Sequence, residues 1–447
     1  MPVAAPEAQC ASAVSRDCLQ AKDDSSHLQR SDWAHRVHLC QTIPMRSVTE
    51  FYQECLERGK QQAPLSVLLS DAVGCVLAED VRAPFDVPVA DLAMCDGYAV
   101  MSADLAAASP QSPLVLPVLT EVRAGEVDPV VLVAGSAVRI ASGAPIPEGA
   151  DAVVAIEFTD HGIGEVVVNT APRIGENIRF RAEDVQQGTT VLRQGTRVGA
   201  RQVALLAGVG RSRVSVHPKP RVVIISIGDE LVEPGREARP GTVFDANGHA
   251  LASAIADVGA QVFRVAAVPD SRKILRETIE DQLVRADMII TTGGISYGSG
   301  DTVREVLGAL GTVRFDRVAA WPGHVLGVGV VGKETPIVCL PGDPVSAQVC
   351  FEVYVRPALR RMQGWTNLSR PSVQARVDRG WYSPMGRREF VRVRLSGNPH
   401  SGYSARVMGT PEALWLSALA ESNALAVVPE DVTNVRAGDA LQCMVLD

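Results

Sequence analysis

Apolar positions show no sustained period over residues 1–44 and become regular only after Met45, where Val48, Phe51, Tyr52 and Cys55 recur at helical spacing. The Ala-, Ser-, Gln- and Asp-rich first segment therefore reads as a disordered extension, with Met45 as an alternative start of the chain. A short apolar helix is expected over Val67–Ala78, after which Pro84, Asp86 and Pro88 hold the backbone extended. Short apolar runs follow at Leu114–Leu119, Val130–Leu132, Val138–Ile140, Ala152–Ile156 and Val166–Val168, separated by Gly, Pro and Asp, and predict a small β-rich domain.

Beyond Lys219 and Pro220 the pattern changes. The continuous run Val222–Ile225 has the character of a strand buried on both faces, and Leu251, Ile255 and Val258 share one helical face. A strand over Gln261–Val268, a helix from Ser271, a strand over Met288–Thr292, a helix from Thr302 and a strand over Pro336–Leu340 complete a βα series and predict a doubly wound parallel sheet. After Pro371, strands at Val373–Val377, Phe390–Leu395, Tyr403–Val407, Ala424–Val428 and Ala440–Leu446 predict a closing β-barrel.

Composition narrows the partners. With 43 Lys and Arg against 51 Asp and Glu, a net charge of -8 gives no general reason to expect nucleic acid or an acidic membrane. No apolar run approaches the roughly 18 residues of a membrane span, and a secretory signal is not visible at the N-terminus, so a cytoplasmic protein is expected. The nine cysteines form no C-x-x-C pair, which fits a reducing compartment, and the Cys and His of the first segment match no zinc spacing.

Ligands of open α/β sheets bind beyond the carboxyl ends of the strands. Four motifs fall at such ends: Ser226-Ile227-Gly228-Asp229-Glu230, Thr291-Thr292-Gly293-Gly294-Ile295-Ser296, Gly298-Ser299-Gly300-Asp301 and Leu340-Pro341-Gly342-Asp343-Pro344. One such motif is a plain turn more often than a site. Four at neighbouring strand ends describe a phosphate cradle rimmed by Asp229, Glu230 and Asp301, whose mutual repulsion a cation such as Mg²⁺ would relieve. A dinucleotide dehydrogenase is excluded because no G-x-G-x-x-G follows the first strand.

With three upstream stretches these motifs resemble the molybdopterin molybdenumtransferases of the MoeA and gephyrin E type. The stretches are Asp96-Gly97-Tyr98-Ala99-Val100, Ser142-Gly143-Ala144 running to Pro147-Glu148-Gly149-Ala150-Asp151-Ala152-Val153-Val154, and Gly175-Glu176-Asn177-Ile178-Arg179 with Glu183-Asp184. The resemblance spans residues 46–447. It implies a MogA-like molybdopterin-binding domain over 218–365, a β-rich arm over 101–180, a discontinuous linker and dimerisation domain over 45–100 and 181–217, and a small barrel over 370–447. It further implies insertion of molybdate into adenylylated molybdopterin with release of AMP, assisted by Mg²⁺, in a homodimer whose site is shared between subunits.

Carried over by motif, the catalytic set would be Asp96, Asp184, Glu230, Asp301 and Arg317, with Glu230 and Asp301 holding the metal. Substrate would be held by Ser142, which stands where the family has Thr, and by Gly228, Asp229, Asp270, Gly293, Gly294, Ser296, Gly298, Pro341, Gly342, Asp343 and Ser346.

The departures from the family pattern are local. Its "KPGKP" stretch reads Trp321-Pro322-Gly323-His324-Val325 here, so two lysines are replaced, and Arg317 alone keeps a permanent charge nearby. Ala93 and Cys95 alter the residues before Asp96, Ser299 replaces an acid, Ala182 replaces a Gly, and Gly409-Thr410-Pro411-Glu412 replaces an anion-binding turn. Cys95 reads as a small, partly buried side chain rather than a nucleophile. The alternative function is a gephyrin-like scaffold that keeps the dimer, binds a partner peptide and has weak or no transferase activity.

Overall fold

The computed structural model describes residues 45–126, 128–295 and 302–446. The chain forms two compact units, Leu65–Val216 and a second that joins the segment up to Pro64 to His217–Asp447.

In the first unit β1 (Gly97–Val100), β2 (Leu114–Val122), β3 (Ala137–Ile140), β4 (Ala152–Ala155) and β5 (Glu165–Val168) make one sheet in the order β4-β1-β3-β2-β5. Both faces are covered, and the period of two is plain in β1, where Tyr98 and Val100 enter one core and Ala99 the other. The run Val130–Leu132 is not a strand of this sheet; Val131 makes only an isolated bridge to Glu148. The helix expected over Val67–Ala78 is also absent. Leu65–Leu68 is a strand paired with Arg213–His217, a single turn of helix covers Leu69–Ala72, and Gly74 at φ 85 breaks the run before the strand Val76–Leu77. Pairing with a strand about 150 residues away outweighs a local propensity for helix.

The second unit begins with α1 (Val48–Arg58), whose N-terminus is closed by a capping box between Ser47 and Glu50. Its sheet contains β6 (Arg221–Ser226), β7 (Gln261–Arg264), β8 (Met288–Thr292), β9 (Gly311–Arg317), β11 (Val325–Val331) and β12 (Thr335–Leu340), with the two-residue β10 (Ala320–Trp321) lying outside it. The order is β7-β6-β8-β12-β11-β9, parallel through the first four strands and antiparallel over the last two pairings. The helices α2 (Ala246–Val258), α3 (Arg272–Gln282), α4 (Thr302–Leu310), α5 (Pro344–Cys350) and α6 (Arg356–Met362) cover its faces. Val222 and Ile224 pack with Leu251, Ile255 and Phe351, while Val223 and Ile225 pack with Leu275, Ile279 and Leu307. Each such burial stabilises by about 1.5–3 kcal/mol before its entropic cost.

The antiparallel hairpin β9–β11 was not foreseen between the Thr302 helix and Pro336. Its pattern is diluted by glycine: a Cβ on Gly329 would lie 2.1 Å from Thr312 O, and one on Gly327 would lie 2.7 Å from the Phe315 ring. The final segment closes as β13 (Ser372–Val377), β14 (Arg388–Asn398), β15 (Gly402–Val407), β16 (Ala424–Val428) and β17 (Ala440–Val445), with α7 (Leu416–Glu421) between β15 and β16. Neighbours run β14-β15-β13-β17-β16, and β14 also pairs with β16, so the ring is complete and no edge remains among these five.

Candidate functional site

The carboxyl ends of β6, β8 and β12 meet at three turns built for close backbone approach. Gly293 sits at φ 89 and Gly294 at φ 67; a Cβ on the first would lie 2.3 Å from Ile227 O and on the second 2.5 Å from a Val303 methyl. These are positions that only glycine fills without strain. Beneath them Asn247, in the first turn of α2, donates through Nδ2 to Thr292 Oγ1 and to Gly342 O, both at 2.8 Å, and Thr292 Oγ1 donates to Pro341 O at 2.8 Å. A buried amide thus ties the Gly-Gly turn to the Pro341–Gly342 turn. Thr292 belongs to the Thr291–Ser296 motif, whereas Asn247 stands outside every motif of the sequence, because it reaches the site from the start of a neighbouring helix.

The acids divide into two kinds. Asp229 Oδ1 accepts from Asp270 N at 3.0 Å, so two of the expected residues share one rim, and the exposed carboxylate of Glu230 folds back over Gly228, where a Cβ would lie 2.6 Å from it. Asp343 instead caps α5, its Oδ1 accepting from the N–H of the buried Ser346 at 2.8 Å. Asp245, also unforeseen, is a buried cap: it accepts from Gly248 N, from Ser226 Oγ and from Arg264 Nη1. Ser296, Gly298 and Asp301 lie outside the described residues. Among the described residues no group of three or more Asp, Glu, His or Cys side chains is placed to hold a metal ion. The exposed oxygens of Asp229, Glu230 and Asp270 are nevertheless the hard donors that Mg²⁺ prefers when substrate phosphates complete its shell.

In the other unit, Ser142 N donates to Asp96 Oδ1 at 2.7 Å, which brings these two expected residues together. Asp184 is exposed and accepts from Arg179 Nη2 at 3.4 Å. Both acids border the ribbon in which Leu92–Ala93 pairs with Ile178–Arg179.

Positive charge gathers where β9, β10 and β14 meet. Arg317 ends β9, His324 lies in the turn before β11, and Arg387 precedes β14. Burial, with Arg387 and Arg317 close by, lowers the His324 imidazole to about 4, so it is neutral at pH 7. Within the barrel Arg392 is wholly buried. Its Nη2 donates to Thr410 O and Ala413 O while Nε and Nη1 carry no hydrogen bond, and burial pulls its guanidinium below the usual range against Glu389, Asp343 and Glu412. It fixes the loop that starts at Gly409, and no periodic signal in the sequence marked it.

Three family models match in order along the chain: the MoeA N-terminal region (domain I and II) at residues 43–210, a probable molybdopterin binding domain at 223–361 and the MoeA C-terminal region (domain IV) at 374–446. Molybdopterin molybdenumtransferase 2 of Mycobacterium tuberculosis is 40% identical over 404 residues, 89% of this chain and 99% of its own length. The chain belongs to the MoeA family.

Molybdopterin molybdenumtransferase 1 of the same organism is 38% identical over 415 residues, 88% of this chain and 97% of its own length. The crystal structure of the molybdopterin biosynthesis MoeA protein from Pyrococcus horikoshii matches with a TM-score of 0.76 at 30% identity, covering 90% of this chain and all of its own. Against that MoeA background the departures take physical form. Ala182 adopts φ 62, a left-handed conformation that strains any residue with a Cβ. Burial and the carboxylates of Glu157 and Asp96 push the Cys95 thiol up, which removes thiolate character. Pro411 is buried and Glu412 exposed in the loop that Arg392 holds. Among the described residues no helix is long and apolar enough to cross a membrane.

Proposed function

We propose that this MoeA chain transfers molybdenum from molybdate to adenylylated molybdopterin with release of AMP. The observation that carries the reading is the cradle of Gly228, Gly293, Gly294 and Gly342 at adjoining strand ends, rimmed by the linked Asp229 and Asp270. A phosphate laid on the Gly293 and Gly342 turns meets backbone that carries no side chain of its own, beside the Glu230 carboxylate that folds over Gly228. Bound Mg²⁺ would supply charge neutralisation and polarise the phosphate to be cleaved. Glu230, with Asp301, would hold it, and Asp229 and Asp270 orient its waters.

Arg317 offsets charge on the departing or entering oxyanion. In the reading the working form is a homodimer, with Asp96 and Asp184 of one copy serving the cradle of the other. His324, being neutral, contributes a hydrogen-bonding ring and no fixed charge.

The deciding experiment is single-turnover release of AMP from adenylylated molybdopterin by the purified chain, with and without molybdate. Molybdate-dependent release is expected, abolished by EDTA, restored by Mg²⁺ and lost in Asp301→Ala. Tight pterin binding without release would overturn the transferase reading and leave the scaffold with a partner peptide.

A further inference from the structure

Between β6 and α2 the chain leaves the sheet as a narrow ribbon. Leu231 and Val232 pair in parallel with Val243 and Phe244; Val243 N donates to Glu230 O and Asp245 N to Val232 O, both at 2.9 Å. Asp229 and Glu230 stand at the root of the outgoing limb, and the returning limb ends at Asp245, beside Ser226 at the carboxyl end of β6. A ladder of two residue pairs is marginal on its own. Burial adds little to it, because Val243 and Phe244 are exposed and Leu231 and Val232 only half-buried.

The ribbon is tied to β7 through one guanidinium. Arg264, the last residue of β7, donates through Nη1 and Nη2 to the two carboxylate oxygens of Glu233, both at 2.8 Å, and through Nη1 also to Asp245 Oδ2 at 3.2 Å. Glu233 follows the outgoing strand and Asp245 ends the returning one, so a single side chain clasps both limbs. Asp245 is itself fixed: it is buried, and its Oδ1 accepts from Ser226 Oγ and Gly248 N. The half-buried stem of Arg264 lies against α2, where a Cβ on Gly248 would be 3.1 Å from its Cδ. A planar fork can hold one carboxylate by both oxygens and still reach a second, which an ammonium group cannot do in the same geometry.

We infer that Arg264 is a positioning residue: by clasping Glu233 and Asp245 it fixes the ribbon on which Asp229 and Glu230 stand, and with it the affinity of that rim for a divalent cation. The inference rests on the proposed function in taking Asp229 and Glu230 as the acids that face the cation. Arg264 acts on them only through the ribbon, its own fork being filled by Glu233 and Asp245.

The test is titration of the full chain with Mn²⁺ in the presence of AMP, free Mn²⁺ being read from its paramagnetic resonance signal. It compares the wild type with Arg264→Gln, Arg264→Lys, Glu233→Ala and Arg376→Gln. Loss of a group that orients metal-facing acids should weaken cation binding roughly tenfold to a hundredfold in Arg264→Gln. On charge alone, removing a cation beside an acidic rim would tighten that binding, so the sign of the change separates positioning from electrostatics. The lysine variant should recover part of the loss, and Arg376→Gln, which removes the same charge from an arginine bonded to Gly438 O on the barrel, should match the wild type. Hydrogen exchange of the Val243 amide should quicken in Arg264→Gln while that of the β8 amides stays as in the wild type, which a general loss of stability would not produce. Unchanged or tighter Mn²⁺ binding in Arg264→Gln, or no Mn²⁺ binding by the wild type, overturns the inference. Should Arg264→Gln fail to fold, Glu233→Ala carries the test, and a Val243 exchange rate or a cation affinity unchanged from the wild type overturns it equally. The titration needs no turnover. Weakened Mn²⁺ binding in Arg264→Gln, in a protein that never releases AMP, would keep the positioning role and reject the transferase; molybdate-dependent release with Arg264→Gln binding Mn²⁺ as the wild type does would do the reverse.

Discussion

At the scale of single residues, two substitutions relative to the family pattern have measurable costs. Ala182 holds φ 62 where a glycine would be unstrained, so Ala182→Gly should stabilise its unit by about 1 kcal/mol, read as a higher midpoint in urea or thermal unfolding. No rise in midpoint would show that the turn relaxes around the Cβ. His324 titrates near 4 in the folded chain and near its ordinary value of about 6.5 when unfolded. Between those values the unfolded chain binds the proton better, so this contribution to stability is full above about pH 6.5 and falls as the pH drops toward 4. Melting the wild type and His324→Asn from pH 7.5 to 4.5 should give curves that diverge on the acid side, the wild type losing more. Parallel curves would mean that the ring is solvated after all.

At the scale of elements, the turns at the strand ends separate what folding needs from what a ligand needs. Gly293→Ala places a Cβ 2.3 Å from Ile227 O at a positive φ and should cost roughly 2–4 kcal/mol. Gly342→Ala meets only Gly293 Cα at 3.4 Å and should leave stability within about 0.5 kcal/mol while reducing pterin binding. Denaturant midpoints alongside pterin affinity distinguish the two; equal destabilisation would argue that the Pro341–Gly342 turn is structural. The strands behind these turns were legible because Val222–Ile225 and Met288–Ile290 are continuous apolar runs whose two faces enter different cores. Asn247, Asp245 and Arg264 were not legible. Their function is to join one element to another, and nothing in a single sequence records which helix N-terminus lies beneath which strand end. The expected helix over Val67–Ala78 failed for the same reason, since its partner strand Arg213–His217 is remote.

At the scale of the molecule, a homodimer predicts a sedimenting mass near twice the 47.5 kDa chain at micromolar concentration; a monomer at that concentration would remove the shared site from the proposed mechanism. Spacing gave good notice of the five strands of the closing barrel, each set off by turn residues. The hairpin β9–β11 escaped notice because glycines stand where apolar residues would have shown the alternation. The two-residue strand β10 is too short for any pattern to reveal, yet it fastens the α/β sheet's outer hairpin to β14. A single insertion or deletion between Val318 and Trp321 would slip that register by one position and turn Arg387 away from Arg317. The stretch is therefore one whose length the fold constrains more tightly than its letters, and Trp321 and His324 occupy positions held by backbone pairing rather than by their own side chains.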